Sequence, residues 1–139
     1  MSIYQGLTTS FKYQVMQGQI NLASNNIYMA LYNGNASLGP STTNYTSANE
    51  ITGTGYTAGG KLMTGVTVQF DSQNNIVFVN WSNVIWTPAT FSARGALIYD
   101  ATASNASIAV LDFGSVKSCS NSFTVTMPAN TSTYALIRG

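Results

Sequence analysis

The first periodicity along the chain is helical. Leu7, Phe11 and Val15 recur four residues apart, which sets them on one face of a helix. Thr9 or Ser10 supplies a cap, and Gly18 supplies a stop. About two turns of helix are marginal in isolation, so this one has to dock on something.

After it the pattern changes to strand and turn. The run IYMALY at 27–32 is apolar and bounded by SNN and NGN. A long polar segment follows, 33–60, with room for only a short strand near Ile51. LMTGVTVQF at 62–70 sets Val66, Val68 and Phe70 against Thr67 and Gln69, the period of two of a half-buried strand. DSQNN makes a turn. IVFVNW at 76–81 is apolar on both sides, as a central strand is. VIW at 84–86 stops before Pro88. RGALIYD (94–100) and SIAVLDF (107–113) flank ATASNA with hairpin spacing. SFTVTMP at 122–128 alternates, with Phe123, Val125 and Met127 inward, and YALIR at 134–138 ends the pattern.

About eight short strands, turn signals every 8–12 residues and no helices between them predict a mainly β fold. The expectation is one domain over 1–139, an antiparallel β-sandwich, jelly-roll-like, with one short N-terminal helix. An immunoglobulin-like sandwich is the second choice. Residues 1–22 read as an N-terminal docking segment and 33–60 as a long polar loop. No internal repeat or domain boundary interrupts the chain.

Composition changes this picture in one respect. Charged residues are 6% of the 139, against about 25% in an ordinary soluble domain. The bases Lys12, Lys61, Arg94, Lys117 and Arg138 and the acids Glu50, Asp71, Asp100 and Asp112 are scattered. There is no basic stripe for nucleic acid and no polybasic patch for a membrane. Polarity comes from 17 Thr, 16 Ser and 14 Asn. A net charge of +1 gives copies little mutual repulsion, so association is expected. The N-terminal residues lack the basic start and apolar run of a signal peptide, so synthesis in a cytoplasm is the expectation. No apolar run approaches the ~20 residues that span a bilayer.

Candidate chemistry is thin. GTGYTAGGKL (53–62) reads G-x-x-x-x-G-K from Gly55, but Leu62 replaces the hydroxyl residue that would hold a metal. A strand pattern follows where a phosphate loop needs a helix. The glycines therefore read as a bend. With no His in the chain, a His-based triad or His-ligated metal is impossible, and no cofactor is expected. Cys119 is the one cysteine, so no disulfide forms within the chain. Asp100 and Asp112 fall near the ends of the predicted hairpin, where a glycosidase-type carboxylate pair would need them. Turn roles are the ordinary explanation. Trp81 and Trp86 read as packing residues. Tyr45 and Tyr56, with Thr57, sit in the Thr- and Gly-rich loop, where they suit a protein interface or a sugar ring.

The segment LGPSTTNYTSANEITGTGYTAGGKLMTGVTV (38–68) resembles a family of small virion structural proteins of tailed bacteriophages. The likeness extends to GLTTSFKYQVMQGQINL (6–22), IYMALYNGNASLGPSTTNYT (27–46), ARGALIYDA (93–101) and AVLDFGS (109–115). NEITGTGYTAGG is its most specific part. The short ASNN before IYMALY departs from the pattern and puts loop contacts there in doubt. The resemblance implies a protein of the virion, made in the bacterial host cytoplasm, with no catalytic role. It implies a capsid decoration, or cement, protein that binds the major capsid protein or other virion proteins and its own copies, as a homo-oligomer, with a trimer favoured by analogy. Ile3, Tyr4, Leu7 and Phe11 are the candidates for docking; Tyr45, Tyr56 and Thr57 are the candidates for the subunit interface. A tail, neck or fibre module binding host surface carbohydrate is the alternative. An enzyme acting on surface polysaccharide through Asp100 and Asp112 is the third reading.

Overall fold

The computed structural model describes residues 2–138, and over them the hydrophobic runs become ten strands and one helix. In chain order these are β1 (Gly6–Leu7), α1 (Thr9–Met16), β2 (Ile27–Tyr32), β3 (Lys61–Leu62), β4 (Thr67–Asp71), β5 (Ile76–Asn80), β6 (Val84–Trp86), β7 (Phe91–Asp100), β8 (Ala106–Cys119), β9 (Phe123–Val125) and β10 (Ile137–Arg138). A five-stranded sheet has the order β1-β8-β7-β2-β3; a three-stranded sheet β10-β5-β4 and a strand pair β6-β9 complete the structure. All pairings between these strands are antiparallel. The fold is mainly β, a single sandwich-like domain with one short helix, as the alternation predicts.

The five-stranded sheet is buried on both faces. Met29, Leu31, Ala96, Ile98 and Ile108 point into the larger core, with Trp81, Trp86, Phe91 and Phe123 from the smaller sheets and their connections. Ala30, Tyr32, Leu97, Tyr99 and Val110 point the other way, under Ile3, Ala36 and Leu38. Successive side chains of a strand alternate between faces, so covering both makes β2 and β7 continuous apolar runs. The second cover comes from the N-terminal residues and the start of the 33–60 segment. It contains little regular structure of its own, so periodicity gives no sign of it.

The helix starts one residue earlier than its sequence suggests. Thr8, rather than Thr9 or Ser10, is the cap: its Oγ1 accepts from the Phe11 N–H at 3.2 Å. Ser107 Oγ donates to the same hydroxyl at 2.9 Å. The cap is therefore chosen by a tertiary contact with β8 that local sequence does not encode. Phe11 alone of the helix is buried; Leu7 belongs to β1 and Val15 is exposed.

The run 62–70 does not form one strand. Its start pairs with β2 at the edge of the large sheet, and its end pairs with β5 in another sheet. Met63 is buried, and its N–H donates to the Ile27 carbonyl at 2.7 Å. The chain then turns at Gly65, φ 69°, where a Cβ would stand 2.1 Å from Ser82 Oγ. Alternation continues through the crossing, and so conceals it. The strand expected at Ile51 is reduced to an isolated bridge between Tyr32 and Glu50.

Candidate functional site

Glu50 organises the long loop. Its carboxylate accepts hydrogen bonds from the Tyr45 and Tyr56 hydroxyls and from the Gly59 N–H, the last at 2.8 Å. The Tyr56 oxygen in turn accepts from the Leu31 N–H at 3.0 Å. Tyr99 stacks between Tyr28 and Tyr45, with ring centroids 5.9 and 4.8 Å away, and its hydroxyl donates to the Gly59 carbonyl at 2.6 Å. Tyr32 donates to the Thr46 carbonyl at 2.6 Å. One carboxylate and four phenols thus fasten residues 45–60 to β2 and β7.

The electrostatics follow from burial beside that carboxylate. Burial first, then the hydrogen bond to Glu50, holds the Tyr45 and Tyr56 phenols well above their usual range. Burial and then the Glu50 charge do the same for Tyr32. By the same two causes in the same order Tyr99 is pushed up to about 12. All four therefore stay protonated at neutral pH as donors. None is poised to act as a base there.

The glycine cluster is structural in the same sense. Gly60 has φ 86°, and a Cβ on it would lie 1.9 Å from the Met29 carbonyl oxygen. The loop passes directly over β2, and only glycine permits that approach. The chain then enters β3 rather than a helix. No helix N-terminus is available to meet a phosphate, and Lys61 turns its ammonium to the Ile85 carbonyl.

The interface candidates separate. Ile3 is buried against the sheet and Tyr4 is exposed. Leu7 and Phe11 line a different surface, a groove of about 630 Å³ between α1 and the three-stranded sheet. Tyr45 and Tyr56 are half-buried with their hydroxyls turned to Glu50, while Thr57 is exposed. Ring faces held inward in this way leave little to stack on a sugar.

Asp100 and Asp112 do not form a pair. The register sets Asp100 opposite Ala106 and Asp112 opposite Gly95, well apart along the hairpin. Asp100 is fully buried and caps the turn, accepting from the Thr102 and Ala103 N–H groups and from Asn25 at 2.6 Å. Asp112 is partly exposed and bonds Arg94 and the Gly114 N–H. The Gly114 N–H first, then Arg94, holds its carboxyl below the usual range. Asp100 stands at the turn end of the hairpin and Asp112 at the level of Gly95, farther along it, so the two acids lie at different heights. Among the described residues no three His, Cys, Asp or Glu side chains gather as a metal would require, and no helix is long and apolar enough to cross a membrane.

The groove holds the feature that periodicity misrepresents. Val77, Val79 and Trp81 share one face of β5 and its extension. Val79 and Trp81 enter the main core. Val77 lies beyond it, opposite Phe70, and Val68 lies opposite Val79. Here the sheet outruns its cover: Phe70 is 76% exposed and Val77 51%. Across the groove stands α1, with Met16 86% exposed. Leu7, Phe11, Ile20, Val79 and Ile137 form its inner lining, and the charged residues that line it are Lys12 and Arg138. The alternation at 66–70 does reflect a real face, but among the described residues nothing covers its Phe70 end. Comparison of the chain with protein-family models, with curated proteins and with solved structures found no match.

Proposed function

We propose that the chain is a virion structural protein of a tailed bacteriophage, acting as a capsid decoration protein that stabilises the shell by contact with the major capsid protein and with its own copies. The observation that carries this reading is the uncovered apolar surface of α1, β4 and β5, set in an exterior of neutral Thr, Ser and Asn. Monomeric proteins rarely leave contiguous apolar surface beyond a few hundred Å² without a partner. Neutral hydroxyl and amide groups cost less to desolvate than unpaired charges, which suits broad contact around such a centre. The carboxylates support the same reading, since Glu50, Asp71, Asp100 and Asp112 each have hydrogen-bonded duties within the fold.

A decoration protein joins neighbouring shell subunits, and the buried area it adds resists separation of those subunits. Quantitative mass spectrometry of purified particles tests this by stoichiometry. Hundreds of copies per particle, and shells that burst at lower temperature when the chain is absent, are expected. A dozen copies or fewer would favour the tail or neck alternative, and absence from particles would refute both.

A further inference from the structure

The geometry points to the groove between α1 and the three-stranded sheet as the docking site for an apolar, carboxylate-bearing segment of a different protein. If the virion reading above holds, that protein is a shell subunit; only the partner's identity rests on that reading. Val15, Met16, Val68 and Val77 line the groove and are each exposed, and Phe70 stands exposed beside them, a grouping of uncovered apolar side chains that marks an interaction surface.

Charge decides the occupant. Lys12 and Arg138 line the groove, and among the described residues no carboxylate does. Among the described residues the ion pair is Arg94 with Asp112, so neither groove cation has a partner there. A second copy of this chain is a poor match. Glu50 is spent on two tyrosines and Gly59, Asp100 is buried in its turn, and Asp112 is paired. Asp71 is bound by Asn74 and Ser132. A two-fold contact through this face would also bring the cations of one copy onto a face that carries the same cations, since the same patch meets itself. A lone fatty acid matches the apolar lining and the cations, but Phe70 lies on the sheet outside the groove lining and would remain uncovered. A polypeptide segment with apolar residues and acidic neighbours covers both and meets both charges.

Two substitution pairs test this in the full chain: K12E/R138E reverses the groove charge, and F70S/V77S removes exposed apolar contacts. All four residues lie on the groove or its rim, so an unchanged urea midpoint establishes that the variants fold. The first probe is the parent phage shell assembled without this chain. Wild type is expected to bind it, and each double variant to bind about tenfold or more weakly, the charge variant also showing an inverted salt dependence, since salt relieves the repulsion it introduces. Wild-type binding that neither variant weakens overturns the inference and leaves the virion reading standing. Failure of wild type to bind sinks the virion reading instead, and a second probe then decides the inference. That probe is a pair of labelled amphipathic peptides, one Leu/Glu and one Leu/Lys, of equal apolar content. Preference for the Leu/Glu peptide by about tenfold, abolished in K12E/R138E, supports the inference. Equal binding, no binding, or preference for Leu/Lys overturns it. So does stoichiometric uptake of oleate, or wild-type self-association in sedimentation that F70S/V77S abolishes.

Discussion

The Glu50 anchor makes a quantitative claim that a single oxygen atom tests. In Tyr56→Phe the ring remains, with its contacts to Trp86 and Phe91, and only the hydroxyl is lost. Two hydrogen bonds go with it. The first is charge-assisted, to Glu50; bonds to charged groups contribute about 1.5–3 kcal/mol. The loss falls at the lower end of that range, because Glu50 is half-buried and keeps Tyr45 and Gly59. The second is the bond from the Leu31 N–H, whose residue is fully buried. Orphaning a buried donor costs about 1–3 kcal/mol. Together these predict a loss of about 3 kcal/mol. With a urea m-value of about 2 kcal/mol/M, the midpoint falls by about 1.5 M at unchanged m. Tyr13→Phe is the control, since Tyr13 is exposed and its hydroxyl meets only Gln17; its midpoint is expected to stay within the ~0.5 kcal/mol typical of surface changes. If Tyr56→Phe is as mild as Tyr13→Phe, the carboxylate–phenol cluster does not hold the loop, and the account of residues 45–60 fails.

Other consequences are open to simpler measurements. Gly60→Ala adds a Cβ against the Met29 carbonyl at a positive φ, and is expected to cost more than 2 kcal/mol or prevent folding, read from soluble yield and thermal midpoint. Asp100→Ala should cost about 3 kcal/mol because it orphans the turn N–H groups and Asn25 in a buried place, whereas Asp112→Asn, at a partly exposed ion pair, should cost clearly less; equal effects would contradict the burial contrast. Stability should fall on the alkaline side. Tyr99 titrates at about 12 in the folded chain against about 10 unfolded, so its contribution is complete below pH 10 and lost as pH rises towards 12. An ultraviolet titration should show Tyr32, Tyr45, Tyr56 and Tyr99 ionising together with unfolding above pH 10, and their ionisation near pH 10 in a chain that stays folded would refute it.

Those strands whose apolar pattern ends in turn residues were legible from sequence alone. β2 and β6 fall on the predicted runs, and the β7–β8 hairpin forms about Asp100 and the following turn as its spacing suggests. Less was visible where a residue serves two masters. Thr8 caps the helix because Ser107 reaches it across the fold, and no local pattern reports that. β8 continues to Cys119 past Gly114 and Ser115, residues whose composition reads as loop; they fall where the register with β7 shifts, and pairing resumes at Lys117, Ser118 and Cys119. The anchor was missed for a related reason. Glu50 is the one carboxylate between residues 33 and 60, and the tyrosines around it are conspicuous, but a charge in a polar loop looks solvated until the phenols are seen to converge on it. The groove was hidden differently: alternation identifies a face and says nothing about whether the chain has enough structure to cover it.

These observations together give the low charge content a physical origin. A carboxylate in an ordinary surface role contributes little to stability. Here Glu50 gathers a loop, Asp71 accepts from the Gln73 and Asn74 N–H groups of its turn, Asp100 closes the hairpin, and Asp112 fixes the bulged stretch of β8 through the Gly114 N–H. Each acid therefore has a duty within the fold, and most of the polar exterior is supplied by neutral Thr, Ser and Asn. Neutral Thr, Ser and Asn surface permits close approach from many directions but favours none of them, because orientation at long range comes from charge. Lys12 and Arg138, placed beside the apolar groove, are then among the few features able to select how a partner arrives. Orientation in this protein is concentrated at the same place as the uncovered hydrophobic area, and a partner satisfying one without the other would gain either contact or alignment, but not both.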